Sequence, residues 1–60
     1  MTRYTVSTDE KMLDVVERLM VQRGVVIVAR DEMFGTLIIE TNDPLMVSQI
    51  EGVLQIRVAF

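Results

Sequence analysis

Hydrophobic spacing along this chain switches from a period of two to one of about 3.6 and back, twice within sixty residues. Each switch marks a passage between strand and helix, so few architectures can accommodate the pattern. Arg3 to Val6 alternates polar and apolar, with Tyr4 and Val6 on one side, as a half-buried strand does. Ser7-Thr8-Asp9-Glu10 follows as a helix start: Ser7 can cap, and Glu10, three residues on, can reach back to the amide of Ser7. Met12, Leu13, Val16, Leu19 and Met20 then fall at helical spacing, with Val15 widening the stripe. Asp14 and Arg18 sit four apart on the polar side, where they can pair. Arg23-Gly24 closes the helix, Gly24 being suited to the left-handed position that follows a helix end.

The second half repeats the alternation of elements. Val25 to Arg30 is short and β-branched and reads as a strand. Asp31-Glu32-Met33-Phe34 turns the chain, and Gly35 to Thr41 forms the return strand of an antiparallel hairpin. Asn42-Asp43-Pro44 starts a second helix, Asp43 capping and Pro44 in the first turn. This helix covers Leu45 to Glu51 and ends at Gly52. Val53 to Phe60 alternates again, with Leu54, Ile56, Val58 and Phe60 on one face and Gln55 and Arg57 on the other.

The order strand, helix, strand, strand, helix, strand, with right-handed crossovers, is a split βαβ unit. The expected fold is α+β: a ferredoxin-like βαββαβ sandwich, one domain over residues 1–60, with a four-stranded antiparallel sheet and two helices on one face. The first and third strands lie in the centre and the second and fourth at the edges. An open or swapped arrangement completed by a second chain would use the same pattern.

Facing follows from alternation. Tyr4, Val6, Leu37, Ile39, Leu54, Ile56 and Val58 turn toward the helices, as do Val25, Ile27 and Ala29. The uncovered face then shows Arg3, Thr5, Thr36, Ile38, Glu40, Gln55 and Arg57, and in the second strand Val26, Val28 and Arg30. That predicts an apolar centre of Val26, Val28 and Ile38 rimmed by Arg3, Arg30 and Arg57, a mildly basic face opposite an acidic helical side. Partial exposure of a few valines is ordinary, but a contiguous apolar patch on a small domain marks a contact surface. The second strand, with no Lys, Pro or evident bulge, is also open to pairing. Met33 and Phe34, two large apolar side chains at the hairpin tip, either tuck over the core or extend this surface.

Composition removes most chemistry. With no Cys and no His there is no thiolate, no imidazole and no zinc cluster, so no metal or cofactor is expected. Ser7 and Ser48 lack a His partner, and Asp9/Glu10 and Asp31/Glu32 read as solvated pairs. An enzyme is not expected. Six basic against nine acidic residues, net −3, disfavour a nucleic-acid partner, and the central strands carry Thr5, Thr36 and Ile38 where base-stacking sheets carry aromatics. The longest apolar run, Val25 to Ala29, falls far short of the roughly 20 residues that cross a bilayer. A cytoplasmic location is the default expectation, with no membrane partner.

Tyr4-Thr5-Val6, the helix end Arg23-Gly24, Val25–Arg30, Phe34-Gly35-Thr36-Leu37-Ile38-Ile39 and Ile50-Glu51-Gly52-Val53-Leu54-Gln55-Ile56 together resemble the subtilisin-propeptide-like proteinase inhibitor family. That resemblance implies a ferredoxin-like domain acting as intramolecular chaperone or protease inhibitor, docked on the protease by its open sheet face. Members also insert a C-terminal tail into the protease cleft, and here Phe60 still belongs to the last strand; a start at Met1 is expected of a small complete product. The layout is also similar to ACT-type and leucine-responsive-regulator-type modules, which bind amino acids between paired subunits, although Ser7-Thr8-Asp9-Glu10 lacks the glycine usual in the ACT turn. The expectation is thus a non-enzymatic interaction module, regulator or protease-propeptide-like inhibitor. Its partner is another protein, a protease among the candidates, or a second copy of itself. Arg3, Val26, Val28, Arg30, Met33, Phe34, Ile38 and Arg57 form the expected contact surface, with the ligand-binding homodimer as the alternative.

Overall fold

Strand β1 (Thr2–Thr8) sits inside the sheet because both of its neighbours pair with it: β3 (Thr36–Thr41) on one side and β4 (Val53–Val58) on the other. A computed structural model describes residues 2–59. Strand β2 (Val26–Asp31) adds to the outer side of β3, giving an antiparallel sheet in the order β2-β3-β1-β4. Helices α1 (Leu13–Gln22) and α2 (Pro44–Ser48) make the two crossovers. This is the ferredoxin-like α+β sandwich, with the sheet completed within one chain. Phe60, placed by alternation on the inner face of the last strand, lies outside the described residues, as does Met1.

The register puts Val6 beside Leu37 and Ile56, and Tyr4 beside Ile39 and Val58. Val6, Leu37 and Ile39 are fully buried against Leu13, Val16 and Met20 of α1 and against Val47 and Ile50, so both helices cover the same face. Tyr4, Ile27, Val53 and Ile56 are partly buried around that cluster. The accessible surface is 4002 Å², close to the roughly 4,000 Å² expected of a folded monomer of this mass.

Local chemistry explains the helix ends. At the C-terminus of α1 the Gly24 amide donates to Val21 at 3.1 Å and the Val25 amide to Met20 at 3.0 Å. With Gly24 at φ 81° this is a Schellman closure, sealed by the buried pair Met20 and Val25. Asp43 caps α2 by accepting from the Met46 amide at 3.1 Å, and Pro44 occupies its first turn. The helix is shorter than its apolar spacing predicts; past Ser48 the chain continues as turns that still bury Ile50. Gly52 packs so closely on α1 that a Cβ there would stand 2.8 Å from Val16 Cγ2.

The first helix cap differs from expectation. Ser7 stays in β1, paired with Thr36 and Gln55, and Asp9 accepts from the Lys11 amide at 3.0 Å to start a 3₁₀ turn, Glu10–Met12, that leads into α1. The strand runs on because Thr8 is held at both ends: its amide and hydroxyl both donate to the carbonyl of Gly35, at 2.8 and 2.9 Å.

Each edge strand carries a bulge. Ile27 pairs with Ile39 and Ala29 with Ile38, leaving Val28 as an extra residue in β2. In β4, Gln55 pairs with Ser7 and Val53 with Thr8, leaving Leu54 unpaired. The extra residue resets the alternation behind it. Three facings therefore change from those predicted, those of Leu54, Ala29 and Arg30. Leu54 is 71% exposed rather than turned inward, and Ala29 shares the outer face with Ile38. Val58, though on the helical face, remains half exposed. The expectation that β2 lacks a bulge is likewise corrected: both edges are kinked, which discourages strand addition.

Candidate interaction surface

The sheet face turned away from the helices is uncovered. Three cross-strand rows build it. Val26, Glu40 and Arg3 form the first; Ala29, Ile38, Thr5 and Arg57 the second; Asp31, Thr36, Ser7 and Gln55 the third. Of the expected contact residues, Arg3, Val26, Ile38 and Arg57 come together here, and the bulged Val28 lies beside Ala29, 42% exposed. Arg3 reaches Glu40 at 3.6 Å across the strands, and Arg57 donates to Gln55 Oε1 at 3.4 Å. A shallow depression in the middle row is lined by Thr5, Ile38, Arg57, Val58 and Ala59.

Arg30 is not part of this face, contrary to expectation. It pairs in register with inward-facing Leu37, because Val28 inserts one residue ahead of it. The guanidinium lies on the helical side, 2.6 Å from Asp14, 2.8 Å from Glu17 and 3.1 Å from Glu32. Its Nε is buried with no partner. Hydrogen bonds to Asp14, then Glu17, push its pKa up from the ordinary arginine value. Asp14, which helical spacing pairs with Arg18, is thus engaged by a neighbouring strand.

Losing Arg30 and gaining Asp31 changes the electrostatics. The face carries two arginines, Arg3 and Arg57, against two carboxylates, Glu40 and Asp31, so it is balanced rather than basic. The signs are also segregated: both arginines stand on β1 and β4, both carboxylates on β3 and β2. The apolar residues Val26, Ala29 and Ile38 all fall in the carboxylate half.

Met33 and Phe34 stand 77% and 71% exposed at the hairpin tip. The tip is braced by Asp31, whose Oδ1 accepts from the amides of Met33 and Phe34 at 3.1 and 3.4 Å. They project past the end of the sheet and are not tucked over the core.

Leu54 and Ala29 are surface residues that alternation missed. In Val25–Ala29 no polar residue marks a face, so a one-residue insertion leaves no trace in the pattern. Among the described residues no group of three His, Cys, Asp or Glu side chains could hold a metal ion, and Ser48 Oγ is engaged with the Leu45 carbonyl at 2.7 Å. No helix of the described residues is long and apolar enough to cross a membrane. Comparisons with protein-family models, curated proteins and solved structures give no match.

Proposed function

We propose that this chain is a small non-enzymatic protein-interaction module that docks another protein chain through the open face of its sheet. One observation carries this reading: both helices pack on one face, and the other leaves Val26 and Val28 exposed and Ile38 half-buried between two bulged edges. With the edges kinked, the face and not a strand border is the surface offered for contact. A cytoplasmic location goes with the reading, and cell fractionation tests it.

In its narrower form the module is a stand-alone protease-propeptide-like inhibitor or regulator. What supports that form is the shared layout and an open face of mixed apolar and charged character. Titration against a subtilisin-class serine protease, followed with a chromogenic substrate, tests it. Stoichiometric loss of activity that Ile38→Asp abolishes supports the inhibitor; full protease activity at excess chain removes it.

The depression around Thr5, Ile38 and Arg57 favours a second reading, an ACT-like regulatory homodimer that binds an amino acid. A ligand of the native state raises the melting temperature by mass action. A panel of amino acids that leaves the melting temperature unmoved counts against it.

A further inference from the structure

We infer that the occupant of the open face is a second copy of this chain, docked face to face about a two-fold axis running along the strands between β1 and β3. The inference rests on the open face being the docking surface, and it adds the partner. In a two-fold interface each patch must complement itself. The split of charge across the face meets that condition. An axis between β1 and β3 lays the arginine half of one copy, β1 and β4, over the carboxylate half of the other, β3 and β2.

The rows make the match residue by residue. Arg3 and Glu40 face each other across β1 and β3, so the axis sets each Arg3 over the Glu40 of the other copy. Ile38 and Thr5 are likewise paired, which brings the two Ile38 side chains to either side of the axis as an apolar centre. Arg57 falls over Ala29, its stem on the methyl group and its guanidinium toward Asp31 two residues along β2. Packed sheets stand about 10 Å apart, a gap that arginine and glutamate together can bridge. A two-fold axis across the strands instead stacks Arg57 on Arg57 and leaves Arg3 over Ser7, without a counter-charge. Charge therefore selects one axis.

Size sets the strength. Four strands about 4.8 Å apart and six residues long make a face of roughly 20 by 20 Å, or about 400 Å². That is about half of what each partner contributes to a standard interface. The dimer is weak, dissociating between ~10 µM and ~1 mM, with charge pairs fixing its geometry more than its affinity.

Sedimentation equilibrium from about 10 µM to about 1 mM at low salt tests this, with far-UV circular dichroism confirming the fold of each variant. Wild type should move from one chain mass toward two. Arg3→Glu and Glu40→Arg should each weaken association about tenfold or more, and the double swap Arg3→Glu/Glu40→Arg should recover it. Ile38→Asp should be monomeric, and Thr5→Arg, in the same row, replaces it if Ile38→Asp loses its helical signal. A wild type that stays monomeric throughout overturns the second copy while leaving the face free for a foreign protein. A dimer indifferent to Ile38→Asp places the second copy on another surface and likewise overturns the inference, the docking reading then resting on the protease titration. A dimer sensitive to Ile38→Asp that the double swap fails to recover overturns the axis.

Discussion

Arg30 of β2 donates to Glu17 of α1 at 2.8 Å, and the same guanidinium holds Asp14 one turn earlier at 2.6 Å. An edge strand with few buried side chains is thereby tied to the helix above it. The link is partly sheltered and forked, unlike the exposed 3.6 Å contact of Arg3 with Glu40, and geometry of that kind separates useful ion pairs from neutral ones. Arg30→Met is therefore expected to lower the urea midpoint clearly, and Arg3→Gln to leave the midpoint of the monomer in place. Equal midpoints for the two variants would contradict the role given to Arg30.

The pH dependence of that link follows from its direction. A raised pKa in the folded state adds stability that is full below the unfolded value and lost only as pH climbs through the folded one. For Arg30, already raised by Asp14 and Glu17, that loss falls in the far alkaline range. Between about pH 6 and pH 9 the gap between wild type and Arg30→Met should stay constant. A gap that closes over this window, in urea titrations at several pH values, would contradict the assignment.

Gly52 and Gly24 separate two costs of a side chain. Gly24 at φ 81° has nothing near its absent Cβ, whereas at Gly52, φ 97°, a Cβ would stand 2.8 Å from Val16 and 3.1 Å from Met12. Gly24→Ala is expected to cost about 1 kcal/mol from backbone strain alone, and Gly52→Ala about 2–4 kcal/mol once crowding is added. Thermal or urea denaturation measures the difference, which should favour Gly24→Ala.

Helix caps provide a paired control. Asp43→Ala removes the acceptor for the Met46 amide and should cost about 1 kcal/mol. Ser7→Ala removes a hydroxyl that caps nothing and should fall within about 0.5 kcal/mol of wild type. A larger loss at Ser7 than at Asp43 would restore Ser7 as the cap.

Deleting Val28 addresses the bulge. Without it Ile27, Ala29 and Arg30 still alternate in, out and in, so the variant should fold with the same core. Its β2 edge becomes regular and open to pairing. Light scattering is expected to show faster aggregation than wild type at equal concentration, and an unchanged rate would remove the protective role of the kink.

Much of this architecture is legible in the sequence because periodicity is local. The stripe from Met12 to Met20, the Asp43-Pro44 start and the Gly24 stop each announce an element through neighbouring residues alone. Facing is legible only while alternation is unbroken. Thr5 and Ile38 lie where parity puts them, but Arg30 follows an inserted residue and Leu54 is one, and the presence of each insertion depends on pairing with a distant strand. Ser7 misleads for the same reason: its capping signature is real, but β3 and β4 extend β1 past it. The charge split of the open face emerges only when Arg30 leaves and Asp31 enters, so it could not be read from order along the chain.

The most direct measurement is a ¹H–¹⁵N correlation spectrum recorded as the chain is concentrated from tens of micromolar to about a millimolar. Docking of a second copy through the open face predicts shifts gathered on Thr5, Ile38, Glu40 and Arg57, with α1 and α2 unmoved. Shifts gathered on the helices, or none at any concentration, would contradict that self-docking.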